Sequence, residues 1–491
     1  MSTTRWARNS IKRLHSPSYS TNSHPVTAKW LQRILEDHSE PPRLYAWTAA
    51  NLPTANARPC RGSTSSAEVS SASEERRRIY ILGVGNIGRL YAVCLAKNPD
   101  RPPITLVVRR KGLLTQWRNS PGIEVVHGDG GSDRSADFDV EWWTEEKPLC
   151  GPVREPGGGR ASSSSTDLGS GSVESEGGSG NTRIRNLIVA TKAAHAMPQI
   201  DRVRRYLGPE TEVAFCQNGM CKLWPPLGEA YARHKWGEGG RGPRWRACVT
   251  THGVTALGPF RSLLASPAGV AVGAVGGGRS EGEAEKEVEM ETDYLIERIV
   301  RAPGLAAQRV ATRELWVAQL EKLVVNSVIN PLTAVLGCKN GVVFEDGGDG
   351  VRDVVDGLLD EAGRTLRGLV RDESTDGVLL SEDEGEEGEG GSEEERLEKV
   401  RAELVERFSF ANLRKMLYAV GEKVAENTSS MLQDVRAGKE TEIEDFNGWL
   451  IETARYLGDE DGLPAHEKLI ALVVDGKTLT KGELVRHFLG R

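Results

Sequence analysis

The chain has 491 residues and a formal net charge of −7, with 27% of its residues charged. This acidic balance argues against general affinity for nucleic acid, which needs a basic face, and no apolar run approaches the roughly 18 residues of a membrane-spanning helix. The length is sufficient for two or three domains.

The seven cysteines are scattered along the chain and odd in number, which favours reduced thiols over a disulfide framework. Cys216 and Cys221 are close in sequence but lack a second pair at metal-ligand spacing. We therefore predict no metal site.

The N-terminal segment is basic, and its first acidic residue is Glu36. With its many serines and threonines it resembles a mitochondrial transit peptide, although a basic tail is an equal alternative. No strong periodicity follows between about Pro41 and Ser73. We interpret residues 1–75 as a leader and linker, and expect a mitochondrial location with the cytoplasm as the alternative.

The first convincing element is a short apolar strand, residues 78–82, which runs into a glycine turn and a helix, residues 89–96. A dinucleotide site requires this order: the first glycine allows a tight turn, the second lets the backbone approach a pyrophosphate, and the third lets the helix pack on the strand. A turn that serves packing alone is the alternative. The predicted cofactor-binding residues of the turn are Gly83, Gly85, Asn86, Ile87 and Gly88.

A second predicted strand, residues 104–108, ends in Arg109. An acidic residue here would bind the ribose hydroxyls of NAD, whereas arginine suits the extra 2′-phosphate of NADP. We therefore predict NADPH as the cofactor, with Arg109 binding it. A solvated basic turn is the alternative.

Two further predicted strands, residues 186–191 and 212–216, are followed by polar side chains. Lys192 comes directly after the first strand, and Asn218 follows the second. Ligands bind just beyond the carboxyl ends of parallel strands in open α/β sheets. Both residues are therefore site candidates, against the alternative that they only form turns.

The alternation of strands and helices predicts a Rossmann-like α/β domain with a parallel sheet over residues 76–305. Segments rich in Gly, Ser and charge, at about 128–183 and 276–291, are expected to be disordered insertions. From residue 306 to 491 the periodicity predicts an all-α domain for substrate binding or dimerisation, interrupted by a disordered acidic insertion at about 375–396.

The most informative stretch of the helical half places polar side chains inside an apolar helix. Lys322, Asn326 and Asn330 are one helical turn apart and project from one side. Buried lysine and asparagine need partners, which a ligand could supply; a lysine that reaches the surface is the alternative. Because Asn330 precedes Pro331, we expect the helix to kink or end there.

A second polar group lies further along the helical half. Ser430 lies in a predicted helix, residues 426–436, with polar groups at one-turn spacing, and Glu442 falls in the first turn of the next predicted helix, which runs to residue 456. This carboxylate either faces a cleft or only complements the helix dipole.

These motifs together resemble the ketopantoate reductase (2-dehydropantoate 2-reductase) family. The similarity runs in family order from about residue 78 to 457, and its two C-terminal motifs are far more specific than the glycine turn. The motifs are Gly83 to Gly88, Thr191-Lys192-Ala, Gln217-Asn218-Gly-Met, Thr250-Thr-His-Gly, Leu315-Trp316, Lys322 to Thr333, Ser429 to Arg436 and Thr441-Glu442-Ile.

The resemblance implies NADPH-dependent reduction of ketopantoate to (R)-pantoate, on the route to pantothenate and coenzyme A. It implies that Lys322 is the general acid and that Glu442 helps to orient the substrate. It also implies that Asn326, Asn330 and Ser430 hold the substrate, with Asn218 at the junction of substrate and cofactor and Lys192 close by.

Two other functions remain open at this point. One is reduction of a different 2-oxo acid, and the other is a non-catalytic mitochondrial protein on the same fold, similar to a translational activator. The expected partner is a small-molecule 2-oxo acid, with no nucleic acid and no membrane span, in a monomer or homodimer.

Overall fold

The computed structural model describes residues 29–53, 72–158, 184–237, 242–276, 293–345, 347–381 and 392–490. The expected leader therefore lies largely outside the described residues, as do residues 159–183, 277–292 and 382–391 of the expected insertions. Mitochondrial location stays a prediction. Within the described residues no helix is both long enough and apolar enough to cross a membrane.

The strands build one large sheet and one small sheet. In chain order the described strands are β1 Tyr45–Trp47, β2 Ile79–Leu82, β3 Ile104–Val108, β4 Ile123–His127, β5 Ser132–Ser135, β6 Asp139–Thr144, β7 Asn186–Val189, β8 Glu212–Phe215, β9 Arg244–Thr250, β10 Gly253–Gly258, β11 Arg261–Ser266, β12 Val270–Ala274 and β13 Ala307–Arg309.

The large sheet has the spatial order β1-β6-β3-β2-β7-β8-β9-β12-β13. Its six central strands, from β6 to β9, are parallel, while β1 and β12 each run antiparallel to their inner neighbours. Every residue of β2, β3, β7 and β8 is buried, as expected for parallel strands covered on both faces. The Rossmann-like prediction is confirmed.

The α-helices surround the large sheet and then form the C-terminal half. They are α1 Lys29–Glu36, α2 Ala72–Arg77, α3 Asn86–Ala96, α4 Lys111–Asn119, α5 Ala193–Val203, α6 Leu227–Trp236, α7 Tyr294–Val300, α8 Thr312–Leu336, α9 Val351–Arg371, α10 Asp376–Leu379, α11 Glu393–Arg407, α12 Phe410–Lys423, α13 Ser430–Arg436, α14 Trp449–Tyr456, α15 Pro464–Val474 and α16 Lys481–Leu489. A π-helical segment, Glu444–Gly448, leads directly into α14. The all-α C-terminal prediction is confirmed.

Two segments that the sequence predicted to be without structure belong to the sheets. Strand β1 lies inside the expected linker, and it extends the large sheet because Leu44, Ala46 and Trp47 are buried. Within the expected insertion from residue 128, β5 and β6 are formed, and β6 sits between β1 and β3 in the large sheet. The prediction of disorder rested on the Gly- and Ser-rich composition of the whole segment. It overlooked Val140 and Trp143, whose burial stabilises β6.

The expected acidic insertion is also shorter than predicted. Helix α10 lies inside its first residues with Val378 and Leu379 buried, and α11 begins inside its last residues. A capping box at Ser392 and Glu395 starts α11, so acidic residues that we interpreted as a disordered run form a helical first turn.

Helix α8 does not end at Pro331, one of the two outcomes expected there, because it continues to Leu336 and ends at Gly337 in the left-handed conformation; a kink at Pro331 stays a prediction. Proline lacks the N–H that would bond to the carbonyl of Ser327 four residues earlier. The side-chain amide of Asn447 donates to that carbonyl instead, at 2.9 Å.

Helix α8 joins the two halves of the molecule. It packs against α9, α12, α13 and α15 on one side and against β9 and β12 on the other. One hydrophobic core therefore runs from a face of the large sheet, at Tyr80 and Phe215, through Trp316 into the helical half. The opposite face of the sheet has its own core with α3.

Candidate active site

The glycine turn has the geometry of a phosphate cradle. Gly83 has a φ of +103°, and a Cβ added there would lie 2.8 Å from the carbonyl of Ala190; one added at Gly88 would lie 2.0 Å from the carbonyl of Gly83. A Cβ on Gly85 would meet no heavy atom of the described residues within 4 Å. Two glycines therefore serve close packing, and Gly85 leaves open space at the N-terminus of α3.

Asn86 attaches this turn to the small sheet, which has the order β10-β11-β4-β5. Its Nδ2 donates to the carbonyl of Val254, at 3.3 Å, and its Oδ1 accepts from the hydroxyl of Ser262, at 3.1 Å. The side chain of Asn86 is thus engaged within the protein, and Ile87 is partly buried. The groups of Asn86 and Ile87 that remain available to a cofactor are their main-chain amides.

Arg109 is exposed at the carboxyl end of β3, two residues before the start of α4. Lys111, the first residue of α4, places its ammonium 4.2 Å from the ring centre of Trp47. Trp47 lies in β1, so the unpredicted edge strand contributes to the surroundings of the basic turn.

The carboxyl edge of the sheet carries buried polar atoms that are available to a ligand. Thr191 Oγ1, after β7, and Gln217 Oε1, after β8, have no hydrogen-bond partner among the described residues. Buried polar groups normally have partners, so these atoms fit a site for a bound molecule. With the open space at Gly85, they fit a dinucleotide at this edge.

Lys322 reaches this edge from α8. Its ammonium donates to the side-chain oxygen of Asn218, at 3.0 Å, and to the main-chain carbonyl of Thr250 at the end of β9, at 2.6 Å. The hydroxyls of Thr250 and Tyr91 are 2.8 Å apart, and Tyr91 lies on α3, the helix that follows the glycine turn. The alternative in which Lys322 extends into bulk solvent is therefore wrong.

Asn218 connects the lysine to the predicted carboxylate. Its Oδ1 accepts from Lys322, and its Nδ2 donates to Glu442 Oε2, at 3.2 Å. Glu442 is only 8% exposed and faces the cleft. Complementing the helix dipole alone therefore does not account for the position of Glu442.

The electrostatics of this group favour a proton donor. Burial lowers the pKa of Lys322 to about 8, and the neighbouring carboxylate of Glu442 opposes that shift. Burial raises the pKa of Glu442, against hydrogen bonds from Asn218 and the main chain of Ala193. An ammonium with a pKa near 8 is still mostly protonated at neutral pH and releases its proton more readily than an exposed lysine.

Glu321, next in sequence to Lys322, points elsewhere. It forms an ion pair with Arg407 on α11, with Nε and Oε1 2.7 Å apart. Adjacent helical residues project about 100° apart, and this separates the charged neighbour from the site.

Lys192 lies at the cleft but bonds across it. Its ammonium is 2.9 Å from Asp434 Oδ2 on α13 and also donates to the carbonyl of Glu440. It is one of the charges that act on Glu442. The structure thus places Lys192 between the sheet and the helical half, whereas contact with a cofactor stays a prediction.

The remaining predicted substrate residues lie one turn after another along the cleft. Asn330 Nδ2 is 3.4 Å from Ser430 Oγ, so the first residue of α13 meets the predicted stripe on α8. Asn326 is partly buried, and its side chain has no hydrogen-bond partner among the described residues. Asn326 is therefore free to bind a ligand.

Three residues of the site were not predicted as such from the sequence. They are the carbonyl of Thr250, the carboxylate of Asp434 and the amide of Asn447. The first two fall inside motifs that the sequence analysis recognised, but their partners are 72 and 242 residues away in sequence. No spacing signal connects positions so far apart.

The fold and the site are those of a class of oxidoreductases whose members bind NAD(P)H. The family model described as ketopantoate reductase PanE/ApbA matches residues 79–277, and the one described as ketopantoate reductase PanE/ApbA C terminal matches residues 314–475. The chain belongs to the ketopantoate reductase family.

Two curated relatives are similar over almost their whole length. Ketoisovalerate reductase BEA2 of Gibberella fujikuroi is 39% identical over 481 residues, which is 96% of this chain and 100% of the relative. Ketoisovalerate reductase of Beauveria bassiana is 37% identical over 486 residues, covering 95% and 99% of the two chains.

A solved structure has the same fold at low identity. D-mandelate dehydrogenase, in a ternary complex with NADH and anilino(oxo)acetate, superposes with a TM-score of 0.50 at 16% identity, covering 83% of this chain and 99% of its own. This likeness concerns the fold alone.

Proposed function

We propose that this protein is an NADPH-dependent reductase of a branched 2-oxo acid, with ketoisovalerate as the first candidate substrate. One observation carries the proposal: the ammonium of partly buried Lys322, held by Asn218 and the carbonyl of Thr250, lies at the carboxyl edge of a sheet whose glycine turn suits a dinucleotide.

The reaction needs a proton at the carbonyl oxygen of the substrate. When the 2-oxo carbon receives a hydride, which a reduced nicotinamide bound at the glycine turn would supply, negative charge develops on that oxygen. Lys322 stabilises the developing charge and then donates its proton to give the 2-hydroxy acid. Asn218 Oδ1 and the carbonyl of Thr250 fix the direction of the ammonium.

The other polar groups of the cleft orient the acid. Asn326, Asn330 and Ser430 present amides and a hydroxyl on the side of α8 that carries Lys322. Asn330 and Ser430 suit hydrogen bonds to the carboxylate of a 2-oxo acid, whereas Asn326 suits a hydrogen bond to a hydroxyl elsewhere on the substrate. Glu442 acts through Asn218 and through its charge, which favours the protonated form of Lys322.

The choice of ketoisovalerate as first candidate is supported by the two fungal relatives, which cover nearly the full chain. Ketopantoate, the substrate expected from the family resemblance, is the second candidate. It differs from ketoisovalerate by a hydroxymethyl group on C3, and the unpartnered amide of Asn326 could bind that hydroxyl.

NADPH rather than NADH is the proposed cofactor. Arg109 is exposed just past β3, where a 2′-phosphate would lie, and α4 begins two residues later with Lys111. A guanidinium and a helix N-terminus both favour a phosphate dianion.

The test is to follow NADPH oxidation by the full-length protein with ketoisovalerate, ketopantoate and a panel of other 2-oxo acids, and to repeat it with NADH. A higher kcat/KM for ketoisovalerate supports the first candidate. Preference for ketopantoate would support the second. No oxidation with any acid would favour the non-catalytic alternative.

A matched pair of variants separates the two substrates. Asn326→Leu removes the free amide, whereas Ser430→Ala removes a hydroxyl that already meets Asn330. If the amide binds the extra hydroxyl of ketopantoate, Asn326→Leu should lower kcat/KM for ketopantoate by roughly 10-fold or more relative to ketoisovalerate, because an unpaired hydroxyl is costly in a closed site. Ser430→Ala should affect both acids alike.

A further inference from the structure

Asn447 is a fully buried asparagine in the π-helical segment that precedes α14. Its Nδ2 donates to the carbonyl of Ser327, at 2.9 Å, and lies 2.9 Å from His466 Nδ1. The other ring nitrogen, His466 Nε2, is 3.0 Å from the carbonyl of Leu358. A carbonyl only accepts, so Nε2 carries the proton and Nδ1 accepts from Asn447.

The hydrogen bond to Ser327 replaces one that Pro331 cannot form. Pro331 cannot donate to the carbonyl four residues before it, and Ser327 is completely buried, so water cannot do so either. An unsatisfied carbonyl there would favour the break expected at Pro331. Helix α8 remains continuous because Asn447 supplies the missing donor from another helix.

The hydrogen bond from Asn447 to Ser327 lies between the proposed substrate-binding residues of α8. Ser327 follows Asn326 directly and precedes Asn330 by three residues on α8. Asn447 follows Glu442 by five residues, within a segment whose widened π-helical turns are often found at functional sites. A single amide therefore links the helix that carries Lys322 and the asparagines to the helix that follows Glu442.

We propose that Asn447 is a positioning residue for the 2-oxo acid, because it supplies the donor that α8 lacks at Pro331 and joins α8 to the segment that follows Glu442. This role rests on the proposed function. Asn447 does not touch the substrate; it determines where Asn326, Asn330 and Lys322 stand when the substrate is bound. Small displacements of such groups cost on the order of 100-fold in rate.

The test combines two substitutions in the full-length protein. Asn447→Leu removes the donor at similar volume, and Pro331→Ala restores a main-chain N–H for Ser327. We expect Asn447→Leu to lower kcat/KM for the 2-oxo acid by roughly 10- to 100-fold, with NADPH affinity unchanged. In the Pro331→Ala background the same substitution should cost several-fold less, because Ser327 then has its own donor.

Asn186 provides a matched control. It is also buried, and its Nδ2 also makes two hydrogen bonds, in this case to the main-chain carbonyls of Arg76 and Arg78, but it lies at the start of β7, away from the cleft. Asn186→Leu should lower the denaturant midpoint as Asn447→Leu does, without the loss in kcat/KM.

The outcomes separate this role from the proposed function. If none of the 2-oxo acids supports NADPH oxidation by the wild-type chain, the proposed function fails and this role fails with it. If the wild type turns over but Pro331→Ala does not relieve the Asn447→Leu loss, the positioning role alone is refuted. An equal kinetic loss in Asn186→Leu would also refute it, since the effect would then follow general stability.

Discussion

The ammonium of Lys322 donates to the main-chain carbonyl of Thr250 at 2.6 Å, and this bond joins the longest helix of the C-terminal half to the end of a strand in the sheet domain. Because the hydroxyl of Thr250 is itself bonded to Tyr91 on α3, two hydrogen bonds relate the proposed proton donor to the helix of the glycine turn. The predicted general acid and the predicted cofactor cradle are thus parts of one site.

Replacing Lys322 tests the proton donor directly. Lys322→Ala should lower kcat by roughly 100- to 10,000-fold, the usual contribution of a positioned general acid, because no other side chain would supply the proton. NADPH affinity should remain, since the glycine turn is untouched; steady-state kinetics and cofactor titration measure the two quantities. Near-normal turnover of this variant would refute the assignment.

The pKa of Lys322 determines an alkaline limit to activity. Lys322 must be protonated to act. The pH dependence of kcat/KM reflects pKa values in the free enzyme, so kcat/KM should fall as pH rises through about 8. Glu442 raises the pKa of this lysine, so Glu442→Gln should move the alkaline limb to lower pH. The exposed Glu444, two residues later in sequence, gives the control: Glu444→Gln should leave the limb in place. A shift to higher pH in Glu442→Gln would contradict the proposed coupling.

Two glycines of the turn should respond differently to alanine. Gly88→Ala places a Cβ 2.0 Å from the carbonyl of Gly83, and such overpacking should cost about 1–3 kcal/mol of stability and lower the melting temperature. Gly85→Ala meets open space, so the unliganded protein should keep its melting temperature while NADPH binds more weakly. Thermal unfolding without and with NADPH measures both effects; undiminished cofactor stabilisation in Gly85→Ala would argue against this cradle.

Buried His466 should make the fold sensitive to acid. Burial lowers its pKa from 6.5 to about 4, so the unfolded chain binds the proton more readily. The stabilisation is complete above pH 6.5 and is lost as pH falls toward 4, by about 3 kcal/mol at about 1.4 kcal/mol per pH unit. Denaturant unfolding of His466→Asn should show a smaller loss over this range, whereas substitution of the exposed His487 should not change it. If the free energy of unfolding fell equally with pH in the wild type and in His466→Asn, this account would be contradicted.

Much of the candidate site could be predicted because its signals are local. The strand, glycine turn and helix around Gly85 lie within about twenty consecutive residues, and the stripe of Lys322, Asn326 and Asn330 follows from the period of one helix. Such patterns depend only on neighbours in sequence. The structure joins Lys322 and Asn218 directly, in agreement with the two predictions made for them separately.

The predictions that failed depended on distant contacts. Strand β1 has only three residues, Tyr45–Trp47, and it forms because it pairs with β6, with Tyr45 opposite Thr144, 99 positions later in sequence. The helix end expected at Pro331 was wrong because Asn447, 116 positions later in sequence, donates to the carbonyl of Ser327 that Pro331 leaves without a main-chain donor. Neither partner is visible in the local sequence.

By itself, the sequence determined the fold class, the glycine turn and the polar stripe, since these arise from the periodicity and chemistry of adjacent residues. Only the tertiary structure decided which groups meet: Lys322 with Thr250, Asn218 with Glu442, Lys192 with Asp434 and Asn447 with Ser327. The physical reason is that a buried polar atom takes whatever partner packing brings within about 3 Å, and packing is a property of the whole chain.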